Sequence, residues 1–401
     1  MEKSASVNKI VVLSAFGMFL DGYELTVIAF AVLLIPNYIH LSNYSLEYGL
    51  LIASVIIGAI IGTILVGYIS DLIGRRRVYI STLLFFIIFD MISVFSVNFY
   101  MLFISRVLLG VVIGAEYPVA SSYIAEVTPD NKRGYYLALV NVFFSIGAIS
   151  SAIVAVFMFP FGNIGWRLML GLAVIPAIIV ELYRFALPES KMWEEKKEKT
   201  GFLEMFSKKY YKNIVIAAMV WFLYDIVAYG LALTLPTILK LGHFVTNVDN
   251  ALLTSFFLVI GIIFGIFVMI KVDKFGRKGI QITGFLFMAI LFLILPHFYF
   301  LAGIIVIVSF LELFNSFGGA TVGIFPAEVT ITRFRGTSYG FSSMMGKIGA
   351  VMGVIAMALL IHGKNYFNAY TFLAVIMVIA ILLTLLLPET SVGHYSKIYP
   401  Y

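Results

Sequence analysis

Several ionisable side chains lie within long apolar stretches of this 401-residue sequence. Asp21 and Glu24 are three residues apart, and Trp221, Asp225 and Tyr229 follow one another at steps of four, so in a helix each set shares one face. A charge at the centre of a bilayer costs about 2.5–3.5 kcal/mol on insertion scales, so such residues are candidates for function. A carboxyl group there can bind and release a proton, because a low-dielectric medium favours its neutral form.

The set of such residues contains six acids and two bases, which are Asp21, Glu24, Asp90, Glu116, Asp225 and Glu312, with Arg106 and Lys347. Because the acids outnumber the bases, pairing cannot neutralise all of them, and we expect some to carry a proton during part of a working cycle. Asp21 is the first candidate for proton coupling, and Glu24, Glu116 and Asp225 are further candidates. For Asp21, the alternative is a structural hydrogen bond to a neighbouring helix.

Lys347 is the basic residue best suited to contact an anionic solute. A salt bridge to Asp225 or Glu116 in the empty state is the alternative, and the two roles are compatible because a solute can displace the partner. Arg106 is interpreted as structural. No motif supports a role for the remaining acids, Asp90, Glu181 and Glu312.

The segments that carry these residues are typical of transmembrane helices. The chain is 62% hydrophobic and 12% charged, whereas soluble domains are about 25% charged. Segments near the length of about 20 apolar residues that one crossing requires occur at 10–36, 48–70, 78–97, 100–126, 135–158, 165–187, 213–240, 250–271, 279–298, 300–328, 338–361 and 367–388. They predict an all-α membrane protein with twelve transmembrane helices in two six-helix bundles, at 1–188 and 213–401. The polar stretch 189–212 is predicted to be a cytoplasmic linker.

Two charged motifs recur at an offset of 202 residues, and the repeated residues are Asp71, Arg75, Glu126 and Arg133 in the first half and Asp273, Arg277, Glu328 and Arg335 in the second. Each half also ends in Leu-Pro-Glu followed by Ser or Thr. A membrane module used twice is typical of transporters. We expect the eight charged residues to form salt-bridge networks at the cytoplasmic ends of helices, where they would gate the protein. The alternative is that they only fix the topology.

The net charge of +6 is interpreted as a signal of membrane topology. Of the 27 Lys and Arg residues, 22 fall on the side that holds both termini, Arg184 among them. Cytoplasmic segments carry such an excess, so both termini are predicted to be cytoplasmic in a multi-pass protein of the cell (plasma) membrane. The placement of the charge argues against a nucleic-acid partner, and a small-molecule solute, protons and the lipid bilayer are the expected partners of a monomer.

Enzyme chemistry finds little support in the sequence. There is no cysteine, the five histidines are scattered, and no phosphate-binding Gly-x-x-x-x-Gly-Lys-Ser/Thr loop is present. We therefore expect no metal and no cofactor. An integral-membrane enzyme or a channel is a remote alternative.

Two motifs in the first half resemble those of the major facilitator superfamily. They are Gly67-Tyr-Ile-Ser-Asp-Leu-Ile-Gly-Arg-Arg76 and Arg106-Val-Leu-Leu-Gly-Val-Val-Ile-Gly114. The repeated Glu…Arg-Gly loops and the Pro-Glu-Ser/Thr ends are similar to those of the sugar-porter branch. The resemblance covers almost the whole chain and implies alternating access in a secondary transporter.

Three motifs inside the membrane segments are Trp221-Phe-Leu-Tyr-Asp-Ile-Val-Ala-Tyr-Gly230, Met345-Gly-Lys-Ile-Gly-Ala350 and Gly114-Ala-Glu-Tyr-Pro118. They show a closer resemblance, to the phosphate:proton symporter family. It implies a solute pocket lined by Tyr117, Trp221, Asp225, Tyr229 and Lys347. The sequence departs from that family at Glu116, where Asp is usual, and near Phe144 and Ala320, where Gln and Asn are expected. The resemblance implies proton symport of a small anion, either phosphate or an organic anion. A proton-coupled transporter of a sugar or another metabolite is the alternative.

Overall fold

The structure, a computed structural model, describes residues 2–39, 45–73, 75–127, 130–187, 211–241, 245–298, 300–329, 335–362 and 366–390. Within these ranges the regular elements are α-helices and three short 3-10 turns, and no strand occurs. Contacts between Cα atoms divide the chain into two compact units. The first unit is Met1–Glu198 with Val245–Ser255, and the second is Lys199–Phe244 with Phe256–Tyr401.

Seven helices form the body of the first unit. They are α1 (Glu2–Ala31), α2 (Leu46–Ile73), α3 (Arg75–Val94), α4 (Phe99–Val127), α5 (Asp130–Met158), α6 (Gly162–Gly171) and α7 (Val174–Arg184). Short 3-10 turns occur at Ile35–Asn37 and Phe159–Phe161. Each turn contains a proline near its start, which fits because proline lacks the N–H that a continuing helix needs.

Seven further helices follow. They are α8 (Tyr211–Leu241), α9 (Asn247–Phe275), α10 (Arg277–Ile294), α11 (Leu301–Val322), α12 (Ile324–Glu328), α13 (Arg335–His362) and α14 (Tyr366–Leu386). The third 3-10 turn is Leu295–His297. The first residues of α9 belong to the first unit, and the rest of this series belongs to the second.

Eleven stretches of the described residues are long and apolar enough to cross a membrane. One of them, Val142–Arg184, is 43 residues long and contains two of the predicted segments, the end of α5 and then α6 with α7. The stretches therefore account for all twelve predicted segments. The prediction of an all-α membrane protein is confirmed.

Two predicted segments are wrong as single helices, because each is broken ahead of a proline. Segment 165–187 turns at Leu172 and Ala173, and segment 300–328 turns at Gly323. Pro176 and Pro326 follow these turns by three residues or more. A proline cannot donate to the carbonyl four residues earlier and its ring clashes with it, so the continuous helix ends there.

Glycines allow the closest approaches between helices within each unit. A Cβ atom at Gly22 of α1 would overlap the backbone carbonyl of Phe144 in α5, and one at Gly349 of α13 would overlap that of Phe222 in α8. Small residues at such crossings bring transmembrane backbones together. The contacts hold α1 and α8, which carry most of the candidate residues, against fixed neighbours.

Candidate functional site

The second unit contains a polar site around Asp225, made of Trp221, Asp225, Tyr339, Ser343 and Lys347, which we call the Asp225 site. The Asp225 carboxylate is 6% exposed, accepts a hydrogen bond from the Trp221 indole and lies in the electrostatic field of Lys347. The Lys347 Nζ atom donates to Ser343 Oγ at 3.2 Å. The Trp221 and Tyr339 rings meet edge to face, with centroids 5.3 Å apart. The site therefore offers an acid, a base and two aromatic rings.

Helix geometry explains how these side chains meet. Trp221 and Asp225 are one turn apart on α8, and Ser343 and Lys347 are one turn apart on α13. A Cβ atom at Gly346 would lie 2.6 Å from Asp225 Oδ2, so a larger residue there would displace the Trp221 and Asp225 side chains. Tyr229, predicted to line the same pocket, is partly exposed two turns beyond Trp221.

A second polar cluster in the same unit was not expected from the sequence. The Tyr224 hydroxyl donates to Asn315 Oδ1 at 2.8 Å, and Asn315 Nδ2 lies 3.4 Å from Glu312 Oε2. Tyr224 also interacts electrostatically with Asp225 and Glu312. Tyr224 lies directly before Asp225 but outside the four-residue spacing of Trp221, Asp225 and Tyr229. The available signal was therefore the spacing of Glu312 and Asn315, three residues apart on α11.

In the first unit, Glu24 pairs with Arg106. Both side chains are 0% exposed. One guanidinium nitrogen contacts Glu24 Oε2, and the other donates to the Glu24 backbone carbonyl at 2.7 Å. Asp90 of α3 is also buried and close enough to interact electrostatically with both residues of the pair. The interpretation of Arg106 as structural therefore leaves out its direct contact with a candidate proton-coupling acid.

Glu116 pairs with Arg184 at a second position in the first unit. The Arg184 Nη2 atom contacts Glu116 Oε1, Nη1 lies 3.0 Å from Oε2, and Thr82 Oγ1 donates to Oε2 at 3.2 Å. The guanidinium carbon lies 3.6 Å from the centre of the Tyr79 ring. Arg184, which the charge count places among the cytoplasmic cations, has a fully buried side chain. Glu116 thus has a partner other than Lys347.

Asp21, the first candidate for proton coupling, is 4% exposed on α1. It takes part in a polar or electrostatic interaction with other residues of the protein. The structure therefore places Asp21 and Glu24 in the interior of the first unit, and it brings Glu24 into an ion pair with Arg106.

The second unit also contains a charged cluster where α10 begins. Arg277 pairs with Glu328 at 3.3 Å, and the Glu389 carboxylate accepts hydrogen bonds at 3.0 Å from the backbone N–H groups of Arg277 and Lys278. Gly276, with φ of 82°, precedes this helix, and this backbone conformation favours glycine. The cluster links the start of α10 to the end of α12 and to the residues that follow α14.

A contact in the first unit mirrors part of this cluster at the 202-residue offset. Arg76 Nη2 donates to the Phe185 carbonyl at 2.8 Å, and Lys278 Nζ donates to the Leu387 carbonyl at 3.0 Å. The repeat seen in the sequence is thus also a repeat of contacts. Some predicted residues lie outside the part of the chain whose side chains the structure describes. The gating residues among them are Asp71, Arg75, Glu126, Arg133, Asp273 and Arg335, and the pocket residue is Tyr117.

Comparison with known proteins identifies the family. The profile of a family described as "Sugar (and other) transporter" matches residues 10–201 and 194–398. The "Putative inorganic phosphate transporter" of Schizosaccharomyces pombe (strain 972 / ATCC 24843) is 28% identical over 495 residues, covering 96% of this chain and 86% of that protein. The "Putative niacin/nicotinamide transporter NiaP" of Bacillus subtilis (strain 168) is 27% identical over 363 residues, covering 88% of each.

A solved structure agrees with this assignment. The crystal structure of a D-xylose-proton symporter matches with a TM-score of 0.84 at 24% identity, covering 96% of this chain and 99% of that one, which establishes the fold. The compared proteins are named as transporters, and this confirms the prediction that the chain is not an enzyme. The chain therefore belongs to the sugar (and other) transporter family of the major facilitator superfamily, and it is a multi-pass membrane protein that transports a small-molecule solute.

Proposed function

We propose that the protein is a proton-coupled symporter of a small anion, phosphate or an organic anion, that works by alternating access. The observation that carries this proposal is Lys347 in the Asp225 site. Its ammonium group is partly buried and lies near the carboxylate of Asp225. An incoming anion can replace Asp225 as the ionic partner of Lys347. Binding of the solute and the charge state of Asp225 are therefore linked.

The solute would bind against aromatic surfaces as well as charge. Trp221 donates to Asp225 and meets the Tyr339 ring edge to face, and Tyr229 is proposed to complete the pocket. Aromatic walls suit an organic anion with a flat apolar part. The name of the yeast relative gives inorganic phosphate, and that of the bacillus relative gives niacin, an organic acid, beside the uncharged nicotinamide.

Proton coupling is proposed for Asp21, Glu24, Glu116 and Asp225. All four carboxyl groups are buried inside their units. A buried carboxylate is stabilised by pairing, and Glu24 and Glu116 have arginine partners. Protonation would release the partner of each acid, which gives a local change that a proton can drive.

Uptake into proteoliposomes tests the proposal. Phosphate, nicotinate and D-xylose serve as the probes, each with and without an inward proton gradient. We expect accumulation of an anion that an uncoupler abolishes, and anion uptake that ignores both the gradient and the uncoupler would contradict proton symport. Uptake of D-xylose with no uptake of either anion would favour the alternative, a proton-coupled transporter of a sugar or another metabolite.

The role of Lys347 is tested by a charge-removing substitution. Lys347→Gln should raise the KM for the anion by about 10- to 150-fold, because a hydrogen bond to a charged group contributes about 1.5–3 kcal/mol. Lys347→Arg should retain part of the affinity. Lys364→Gln, which removes a lysine between the predicted segments 338–361 and 367–388, is the matched control. An equal effect of Lys364→Gln and Lys347→Gln would refute a specific role.

The remaining features of the proposal concern the setting of the transporter. We propose a monomer in the plasma membrane with both termini in the cytoplasm, halves at 1–188 and 213–401, and a linker at 189–212. The predicted gating residues would make and break their ion pairs as the transporter changes state. The Arg277–Glu328 pair supports this role, since partly exposed ion pairs are weak enough to exchange.

A further inference from the structure

Glu181 of α7 is a buried acid that none of the preceding roles uses. Its side chain is 3% exposed, and neither carboxyl oxygen has a hydrogen-bond partner among the described residues. An ionised carboxylate buried in this way costs several kcal/mol unless it is paired and hydrogen-bonded. A protonated carboxyl group is neutral and avoids most of that cost.

One arginine, Arg184, lies near two acids, Glu116 and Glu181, in the first unit. Arg184 is one helical turn after Glu181, and both of its terminal nitrogens contact Glu116. Glu181 interacts electrostatically with both of these residues. If both acids were ionised, the cluster would carry one uncompensated negative charge inside the unit.

The other groups around the cluster come from α1 and α3. The Tyr79 ring of α3 stacks on Arg184, and its hydroxyl donates to Ser14 of α1 at 3.1 Å. Lys9 of α1 lies 6.0 Å from the Tyr183 ring. Arg76 of α3 donates to the Phe185 carbonyl at 2.8 Å. Arg184 interacts with both acids, and both of its terminal nitrogens contact Glu116.

We propose that Glu181 is a proton-binding site, and that Arg184 moves from Glu116 to Glu181 when this proton leaves. Residues three apart on a helix are neighbours on its surface, so Arg184 can reach Glu181 by a change of rotamer. The proton passes to water from the end of α7, the guanidinium keeps its charge throughout, and Glu116 is left to take up a proton in turn. The existence of the site stands apart from the proposed function, whereas its use in transport rests on proton symport.

Infrared spectroscopy tests proton binding directly. A protonated carboxyl group has a C=O stretching band that shifts in deuterium oxide. Near neutral pH, the purified protein should show such a band, and Glu181→Gln should remove the part of its intensity that comes from Glu181. Asp249→Asn, at an exposed acid near the start of α9, should leave the band intact. A spectrum of Glu181→Gln that still contains the whole band would overturn the proposal.

The shorter acid keeps the test informative if Glu181→Gln fails to fold. Glu181→Asp retains a titratable group at the same position, so its carboxyl band should persist at an altered frequency. If the band of Glu181→Asp has the same intensity and the same frequency as the wild-type band, this result counts against the site. It does so as clearly as an unchanged band in Glu181→Gln.

Transport assays then separate this inference from the proposed function. Glu181→Gln should reduce gradient-driven accumulation at least about tenfold while exchange of internal for external solute remains measurable. If wild-type uptake ignores the proton gradient, the proposed symport is wrong, although the infrared result on Glu181 is unaffected. If wild-type uptake follows the gradient and Glu181→Gln accumulates solute equally well, the role of Glu181 in transport is wrong.

Discussion

Single residues in the first unit are arranged as acids that share arginines. Glu24 and Asp90 lie near Arg106, and Glu116 and Glu181 lie near Arg184. Removing one partner of a buried ion pair is more damaging than removing both, because the remaining charge stays buried without compensation. The same residues therefore have a measurable effect on stability, apart from any effect on transport.

The Glu24–Arg106 pair gives a prediction for stability. Arg106→Gln should lower the free energy of unfolding by about 3–5 kcal/mol, since it leaves the Glu24 carboxylate buried and unpaired. Adding Glu24→Gln should recover much of this loss. Thermal unfolding of the purified single and double variants in the same detergent measures both effects, and a double variant less stable than Arg106→Gln would contradict the pairing.

Pairs of helices determine where the candidate residues can meet. The α8 and α13 helices approach closely at Gly346 and Gly349, and this approach brings Asp225 and Lys347 into one site. The α1 and α5 helices also approach each other closely, at Gly22. A helix crossing of this kind tolerates no added methyl group, because packed interiors leave no space for it.

Two glycines of α13 give a matched prediction. Gly346→Ala should destabilise the protein by about 1–3 kcal/mol and impair transport, because its new methyl group would meet Trp221 and Asp225. Gly340→Ala should be tolerated, since a Cβ atom there has no neighbour within 4 Å. The measurements are thermal unfolding and initial uptake rate. Equal effects of the two substitutions would show that the crossing is not the cause.

Across the whole molecule, the distribution of charge predicts which loops face which side of the membrane. Because the sequence contains no cysteine, single cysteines report on topology without a background signal. Lys364→Cys should react with a membrane-impermeant thiol reagent in intact cells. Lys397→Cys should react only after the membrane is permeabilised. Reaction of Lys397→Cys in intact cells would contradict a cytoplasmic C-terminus.

Most of the fold was predictable because crossing length is a local property. The apolar segments marked the spans, and their ends agree with most helices within a few residues. The predictions missed the breaks before Pro176 and Pro326, where local backbone chemistry overrides hydrophobicity. Part of the Asp225 site was also predictable. Trp221 and Asp225 share a helix face, and the family resemblance added Lys347.

The sequence by itself determined the helices, the 202-residue repeat and the membership of a transporter family, because spacing and hydrophobicity can be read along the chain. Only the tertiary structure decided which acid meets which base. Glu24 and Arg106 are 82 residues apart, and Glu116 and Arg184 are 68 apart. Such pairs depend on how each helix is rotated about its axis and on which neighbour it crosses. Those rotations result from packing of whole helices, so the shared arginine beside Glu181 became visible only in the folded unit.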